Sequence, residues 1–93
     1  MLRIRYTKKM KQGMARAIKR GKNINELNFV LNTLAAGKPL PRKYLDHKLT
    51  GNKAGFRECH IEPDWLLVYR VQKEELILLA VAIGTHRETL GVE

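Results

Sequence analysis

The chain carries three histidines, His47, His60 and His86, all in its second half. Each sits in a short polar cluster: Asp46-His47, Glu58-Cys59-His60-Ile61-Glu62-Pro63-Asp64-Trp65 and Gly84-Thr85-His86. A free imidazole titrates near ~6.5, so it exchanges a proton close to neutral pH. If the three converge, they supply a general acid and a general base with no metal and no cofactor. Structural zinc is the rival use of three histidines and the single cysteine, Cys59. Zinc normally draws on close pairs such as Cys-x2-Cys, whereas His47, His60 and His86 lie 13 and 26 residues apart, which argues against it. Taken singly, a histidine at a strand end is more often a hydrogen-bonded surface residue, and Pro63-Asp64 makes a good turn by itself. Cys59 reads as a small buried residue rather than a nucleophile. The weight lies in the ordered combination.

These clusters need elements to position them. Leu2-Arg3-Ile4-Arg5-Tyr6 alternates apolar and basic residues like a half-buried strand. Thr7 can cap a helix whose apolar stripe is Met10, Met14, Ala17 and Ile18, with Gly21 as its stop. Asn23 with Glu26 makes a capping-box variant for a second helix, striped by Leu27, Val30, Leu31 and Leu34 and ending at Gly37. After an irregular stretch over residues 38–53, strands are expected at 55–61, 65–71 and 76–83, joined by hairpins. The last of these has no alternation, as in a strand buried on both faces. The order is β-α-α-β-β-β, one α+β domain over residues 1–93, with two helices packed on one face of an antiparallel sheet. Period-two alternation puts Phe56, Glu58 and His60 on one face and Arg57, Cys59 and Ile61 on the other. Arg57 therefore needs a bulge or twist to join the histidines. Trp65, Leu67, Tyr69 and Val71 share a core face, with Trp65 partly exposed at its end.

The formal charge is +9, and residues 1–22 account for it: nine Lys or Arg and no acid. The remaining 71 residues, with nine bases and nine acids, sum to zero. Lys8, Lys9 and Lys11 on the first helix suit a polyanion such as nucleic acid, or an acidic protein segment. No apolar run approaches the ~20 residues of a membrane span, and the N-terminus lacks the hydrophobic stretch of a signal peptide. One unpaired cysteine fits a reducing compartment, so a cytoplasmic location is expected.

Read in order, Asp46-His47-x-Leu49-x-Gly51, Gly55-Phe56-Arg57-Glu58-x-His60-x-x-Pro63-Asp64-Trp65-Leu66-Leu67-Val68-Tyr69 and Gly84-Thr85-His86 resemble the YafQ-like branch of the RelE/ParE superfamily. These are toxins of bacterial type II toxin-antitoxin pairs. The resemblance implies a RelE/ParE-like fold and a ribosome-dependent, metal-independent endoribonuclease, an mRNA interferase, whose partners are mRNA, the ribosome and a small antitoxin with an acidic tail. It implies His47, His60, Asp64 and His86 as the catalytic set, with Trp65 beside it. Leu90 stands where such toxins often have an aromatic residue, so a stacking contact to a base is expected to be missing.

The residues permit that chemistry. Attack of an RNA 2′-hydroxyl on the adjacent phosphate needs a base, an acid for the 5′-oxygen and positive charge near the non-bridging oxygens. His86 is assigned as acid, Asp64 or His60 as base, and His47 with Arg57 as phosphate ligands. The alternative is a ParE-like toxin that binds a protein such as gyrase and cleaves no RNA.

Overall fold

The computed structural model describes residues 1–89, so the expectation at Leu90 lies outside the described residues. A short strand, β1 (Arg3–Tyr6), leads into two helices, α1 (Lys8–Lys19) and α2 (Ile24–Ala35). Then come β2 (His47–Lys48), β3 (Arg57–Glu62), β4 (Trp65–Gln72), β5 (Ile77–Gly84) and a single helical turn, α3 (His86–Thr89). The five strands form one sheet in the order β1-β5-β4-β3-β2.

The helix starts follow from capping. Thr7 Oγ1 accepts the Met10 N–H at 3.0 Å and donates to the Val81 carbonyl at 2.5 Å, so the cap also pins α1 to β5. Asn23 Oδ1 accepts the Glu26 N–H at 3.1 Å. In α2 the expected stripe is buried as a whole. In α1 it is rotated: Met10 and Ala17 are buried, but Ile18 is 63% exposed and Gly13 faces inward. The reason is close approach, because a Cβ built on Gly13 would collide with the Ile83 carbonyl.

The helices cover one face of the sheet. Met10, Ala17, Leu27, Val30, Leu31 and Leu34 pack there on Cys59, Ile61, Trp65, Leu67, Tyr69 and Leu78. The far face has only a small apolar cluster, Val68 and Ala82 with Leu49, Phe56 and Val81 around them.

Three sequence expectations change. The sheet is mixed, since β1 pairs parallel with β5 while the other pairings are antiparallel. A crossover through two helices allows that parallel return, and a four-residue alternation says nothing of partner or direction. Within the stretch expected to be irregular, His47 and Lys48 form a strand too short to show any period. β5 also alternates in burial as far as Ala82, with Leu79 and Val81 half-buried, and is continuously buried only from Ala82 to Gly84, past the register slip at Val81.

If Gly13 sets the spacing between α1 and β5, Gly13→Ala costs stability by overpacking, about 1–3 kcal/mol. Thermal unfolding should show a Tm lowered by roughly 4 °C or more. An unchanged Tm would show that α1 can move off the sheet freely.

Candidate active site

β2 pairs with β3 so that His47 stands opposite Glu58, and β3 pairs with β4 so that His60 stands opposite Leu66. Directly paired residues share a face, and Glu58 and His60 are two apart on one strand. His47, Glu58 and His60 therefore project together from the face that the helices leave open. Ring centres are 6.1 Å apart for His47 and His60, and 5.4 Å apart for His60 and His86. The three imidazoles form a row with His60 in the middle.

Each end of the row is oriented from behind. His47 Nδ1 lies 2.7 Å from the Leu45 carbonyl. A carbonyl can only accept, so this nitrogen carries a proton; Nε2 lies 3.5 Å from Glu58 Oε1, a second acceptor, so the ring pairs with that carboxylate only when Nε2 is protonated too. His60 Nε2 lies 3.8 Å from the same carboxylate oxygen. At the other end, the Asp64 carboxylate accepts from the backbone N–H of His86 at 2.8 Å and from its ring Nδ1 at 2.7 Å. Those bonds hold the Asp64 carboxyl below its ordinary range, chiefly the one from the backbone and then the one from the ring. His86 is left with Nε2 outward, on a half-exposed side chain.

The turn that carries His86 is tethered to α1. Glu88 accepts two hydrogen bonds from Arg20, at 3.0 and 2.8 Å, and one from the Thr85 N–H at 2.9 Å. The Arg20 bond, with the Thr85 bond second, lowers the Glu88 carboxyl to about 2. Gly84 makes room for it, because a Cβ there would stand 2.8 Å from Glu88 Oε1.

The structure thus brings His47, His60, Asp64 and His86 together, and two expected phosphate or RNA contacts are not with them. Arg57 keeps the regular strand alternation and points to the helix side, where its Nε donates to Asp46 at 3.3 Å and to Tyr69 at 3.2 Å. No bulge turns it, since the β3 irregularity falls later, between His60 and Glu62. Trp65 is 2% exposed rather than partly exposed. It lies in the core under Lys22, whose Nζ is 5.8 Å from the ring centre and 2.9 Å from Glu62, so it has no free face for a base. Lys8 and Lys9 line, with Gln12 and Arg16, an open depression that reaches Glu88. Lys11 is exposed on the same helix. Cys59 is fully buried, and burial pushes its thiol up to about 12, which removes it as a nucleophile.

Sequence reasoning missed Glu58 as a site residue, although the same alternation that placed His60 also placed it. His47, Glu58 and His60 offer ligand atoms all within 4.8 Å of one another, a trio able to hold a metal ion. The sequence distance between His47 and His60 had argued against such a site, and strand pairing overrides it.

A five-stranded α+β sheet with helices on one face is the fold of RelE-like toxins, YafQ among them. The family described as bacterial toxin of type II toxin-antitoxin system, YafQ, matches residues 2–91. The mRNA interferase toxin YafQ of Escherichia coli K12 is 35% identical over 89 residues, covering 95% of each chain. Among solved structures, a metal-bound toxin from Helicobacter pylori superposes with a TM-score of 0.90 at 42% identity, over 95% of this chain and 98% of that one. YafQ in the E. coli DinJ-YafQ toxin-antitoxin complex superposes with a TM-score of 0.87 at 33% identity, over 98% and 100%. The chain belongs to the YafQ family of type II toxin-antitoxin toxins.

The Glu88 tether makes a pH-dependent contribution to stability. Its carboxyl is lower in the folded protein than when free, so the contribution is complete above the ordinary carboxylate range and is lost as pH falls through about 2. Melting curves should show that the fall in Tm between about pH 5 and pH 2.5 is smaller in Glu88→Gln than in the wild type. Equal falls would remove Glu88 from the acid-sensitive set.

Proposed function

We propose that this toxin cleaves mRNA in the ribosomal A site, using the RNA's own 2′-hydroxyl as nucleophile and no metal. The enzyme class follows from the family: the protein is an endoribonuclease of the mRNA interferase type. The observation that carries the mechanism is the Asp64–His86 pair. Protonated His86, with its Nδ1–H held by a carboxylate at 2.7 Å, can donate from Nε2 to the departing 5′-oxygen. Asp64 is then a poor candidate for the base, because its carboxylate is stabilised as the anion and occupied by His86. His60, one ring away, takes the 2′-hydroxyl proton. His47, at the far end of the row, holds the scissile phosphate as an imidazolium donating from Nε2, and Glu58 lies beside both His47 and His60. Each positioned acid or base is worth ~10²- to 10⁴-fold.

The YafQ of the E. coli complex binds DinJ, and the present chain is read as paired likewise with a small antitoxin carrying an acidic tail, matched to its +9 charge. Ribosomal RNA is read as the partner of the basic helix face. Lys8 and Lys9 stand at the positive end of the α1 dipole, with no acid in its first turn, an arrangement that disfavours the free helix and suits a phosphate backbone. The family assignment favours this nuclease reading over a ParE-like gyrase binder. A cation on His47, Glu58 and His60 would occupy the imidazole nitrogens that the reaction needs, so we read metal binding there as inhibitory.

Two experiments test the proposal. Purified toxin added to translating ribosomes should cut mRNA at A-site codons, with the wild type unaffected by chelators, His86→Ala reduced by at least about 10³-fold and Asp64→Asn by about 10²-fold. Intact mRNA with the wild type, or full activity in His86→Ala, would overturn the assignment, as would a requirement for metal. Substituting Lys8, Lys9 and Lys11 by Ala should weaken ribosome binding and flatten its salt dependence, by ~0.7 to 0.9 in log–log slope per lost phosphate contact. A slope equal to the wild type would place the ribosomal contact elsewhere.

A further inference from the structure

His47 is the least supported member of the row on its own face. Its strand has two residues and lies at the sheet edge, and its ring is hydrogen-bonded to Leu45, two residues earlier in the same loop. Leu45 itself is in the left-handed region, at φ 51°, a conformation that costs a side-chain-bearing residue energy and persists only when its surroundings enforce it. The next residue, Asp46, is anchored on the opposite face of the sheet. Residues 46 and 47 point to opposite sides, and Asp46 reaches the helix side, where Arg57 and Tyr69 are directly paired across β3 and β4. One carboxylate oxygen, Asp46 Oδ1, accepts from the Tyr69 hydroxyl at 2.6 Å and from Arg57 Nε at 3.3 Å. Arg57 Nε is also 3.2 Å from that hydroxyl, which closes a three-membered ring of bonds.

We infer that Arg57 and Tyr69 are positioning residues for His47, acting through Asp46 from the far side of the sheet. The inference rests on the role given above to the histidine row. Tyr69 is 1% exposed, so its hydroxyl needs a partner, and burial together with the Asp46 bond raises its pKa and keeps the proton in place to donate. Tyr69 belongs to the packed core of a central strand, and its ring therefore serves as a fixed reference point for the sheet edge. Asp46 transmits that reference to the next residue in the chain. With Asp46 fixed, the Leu45 carbonyl is held where it can accept the His47 Nδ1 proton, and Nε2 is directed at Glu58 and the phosphate position. Arg57, expected from the sequence to meet phosphate directly, does its work here at one remove. A half-buried ion pair is weak evidence for stability on its own, but it is a good device for fixing a single arrangement.

Tyr69→Phe removes one oxygen and leaves the ring. The expected result is a kcat for A-site cleavage lowered by about tenfold or more with KM within twofold, since a displacement on the order of 1 Å in a positioned group can cost ~10²-fold. Asp46→Asn should behave likewise. Arg57→Lys should restore activity relative to Arg57→Met, because an ammonium can still reach Asp46. Nitrogen-15 spectra of the imidazoles give a readout independent of cleavage: neutral His47 should be an Nδ1–H tautomer in the wild type and lose that preference in Tyr69→Phe and Asp46→Asn. That arm holds even for a toxin that cleaves nothing, so failure of the nuclease reading and failure of this inference are distinguishable. Wild-type kcat and an unchanged His47 tautomer in both variants, with only a lower Tm, would reduce the network to a structural one and overturn the inference.

Discussion

The alternation of β3 is the constraint on which the site depends. Six residues, Arg57 to Glu62, must serve two faces with opposite requirements. Cys59 and Ile61 enter the core under the helices, while Glu58 and His60 stand on the open face. A one-residue slip would bury Glu58 and His60 and expose Cys59 and Ile61, so the apolar contacts that hold the register also hold the chemistry. The register is further secured at its start, where Arg57 is bonded to Asp46 and Tyr69, and released at its end by the irregularity before Glu62. That irregularity precedes the tight turn carrying Asp64, which brings the carboxylate back to His86.

The division of faces explains how so small a chain sustains both a core and an exposed row of histidines. The helices put all their buried apolar area on one side, leaving Val68 and Ala82 to anchor the other. Charged groups are then placed where they do not burden the core. The α1 lysines lie outward, and Arg16 and Arg20 of the same helix turn toward Glu88. The basic helix and the turn holding His86 are thereby one mechanical unit. The link between them is one carboxylate, Glu88, which meets Arg16, Arg20 and the Thr85 N–H at once.

Much of this was legible in the sequence, and the failures have physical causes. Capping residues and helical stripes marked α1 and α2 because local chemistry sets them, and alternation separated Arg57 from His60 correctly. Ile18 was misplaced because a stripe drawn from hydropathy cannot register Gly13, whose value to packing is the absence of a side chain. Trp65 was expected to be core but partly exposed, because its strand-end position is visible in the sequence and the cover given by Lys22 and Glu62 is not. The parallel pairing of β1, the two-residue β2 and the Asp46–Arg57–Tyr69 ring are long-range pairings with no local signature. The histidine clusters stood out in the sequence, but Glu58 was passed over, since one carboxylate among nine acids acquires meaning only when His47 is paired opposite it.

The same long-range pairings make the three imidazoles unequal. His86 has a carboxylate bonded to its inner nitrogen, which fixes a proton there and leaves its outer nitrogen free to meet a substrate. His47 has a neutral carbonyl in that position, which fixes the tautomer without adding charge. His60 lies between them, sharing Glu58 with His47 and its ring edge with His86. A substrate phosphate approaching this row meets a donor backed by charge at one end and a fixed, differently backed imidazole at the other. What stands behind each ring thus distinguishes it from its neighbours, and the row acquires a direction that three identical side chains do not have by themselves.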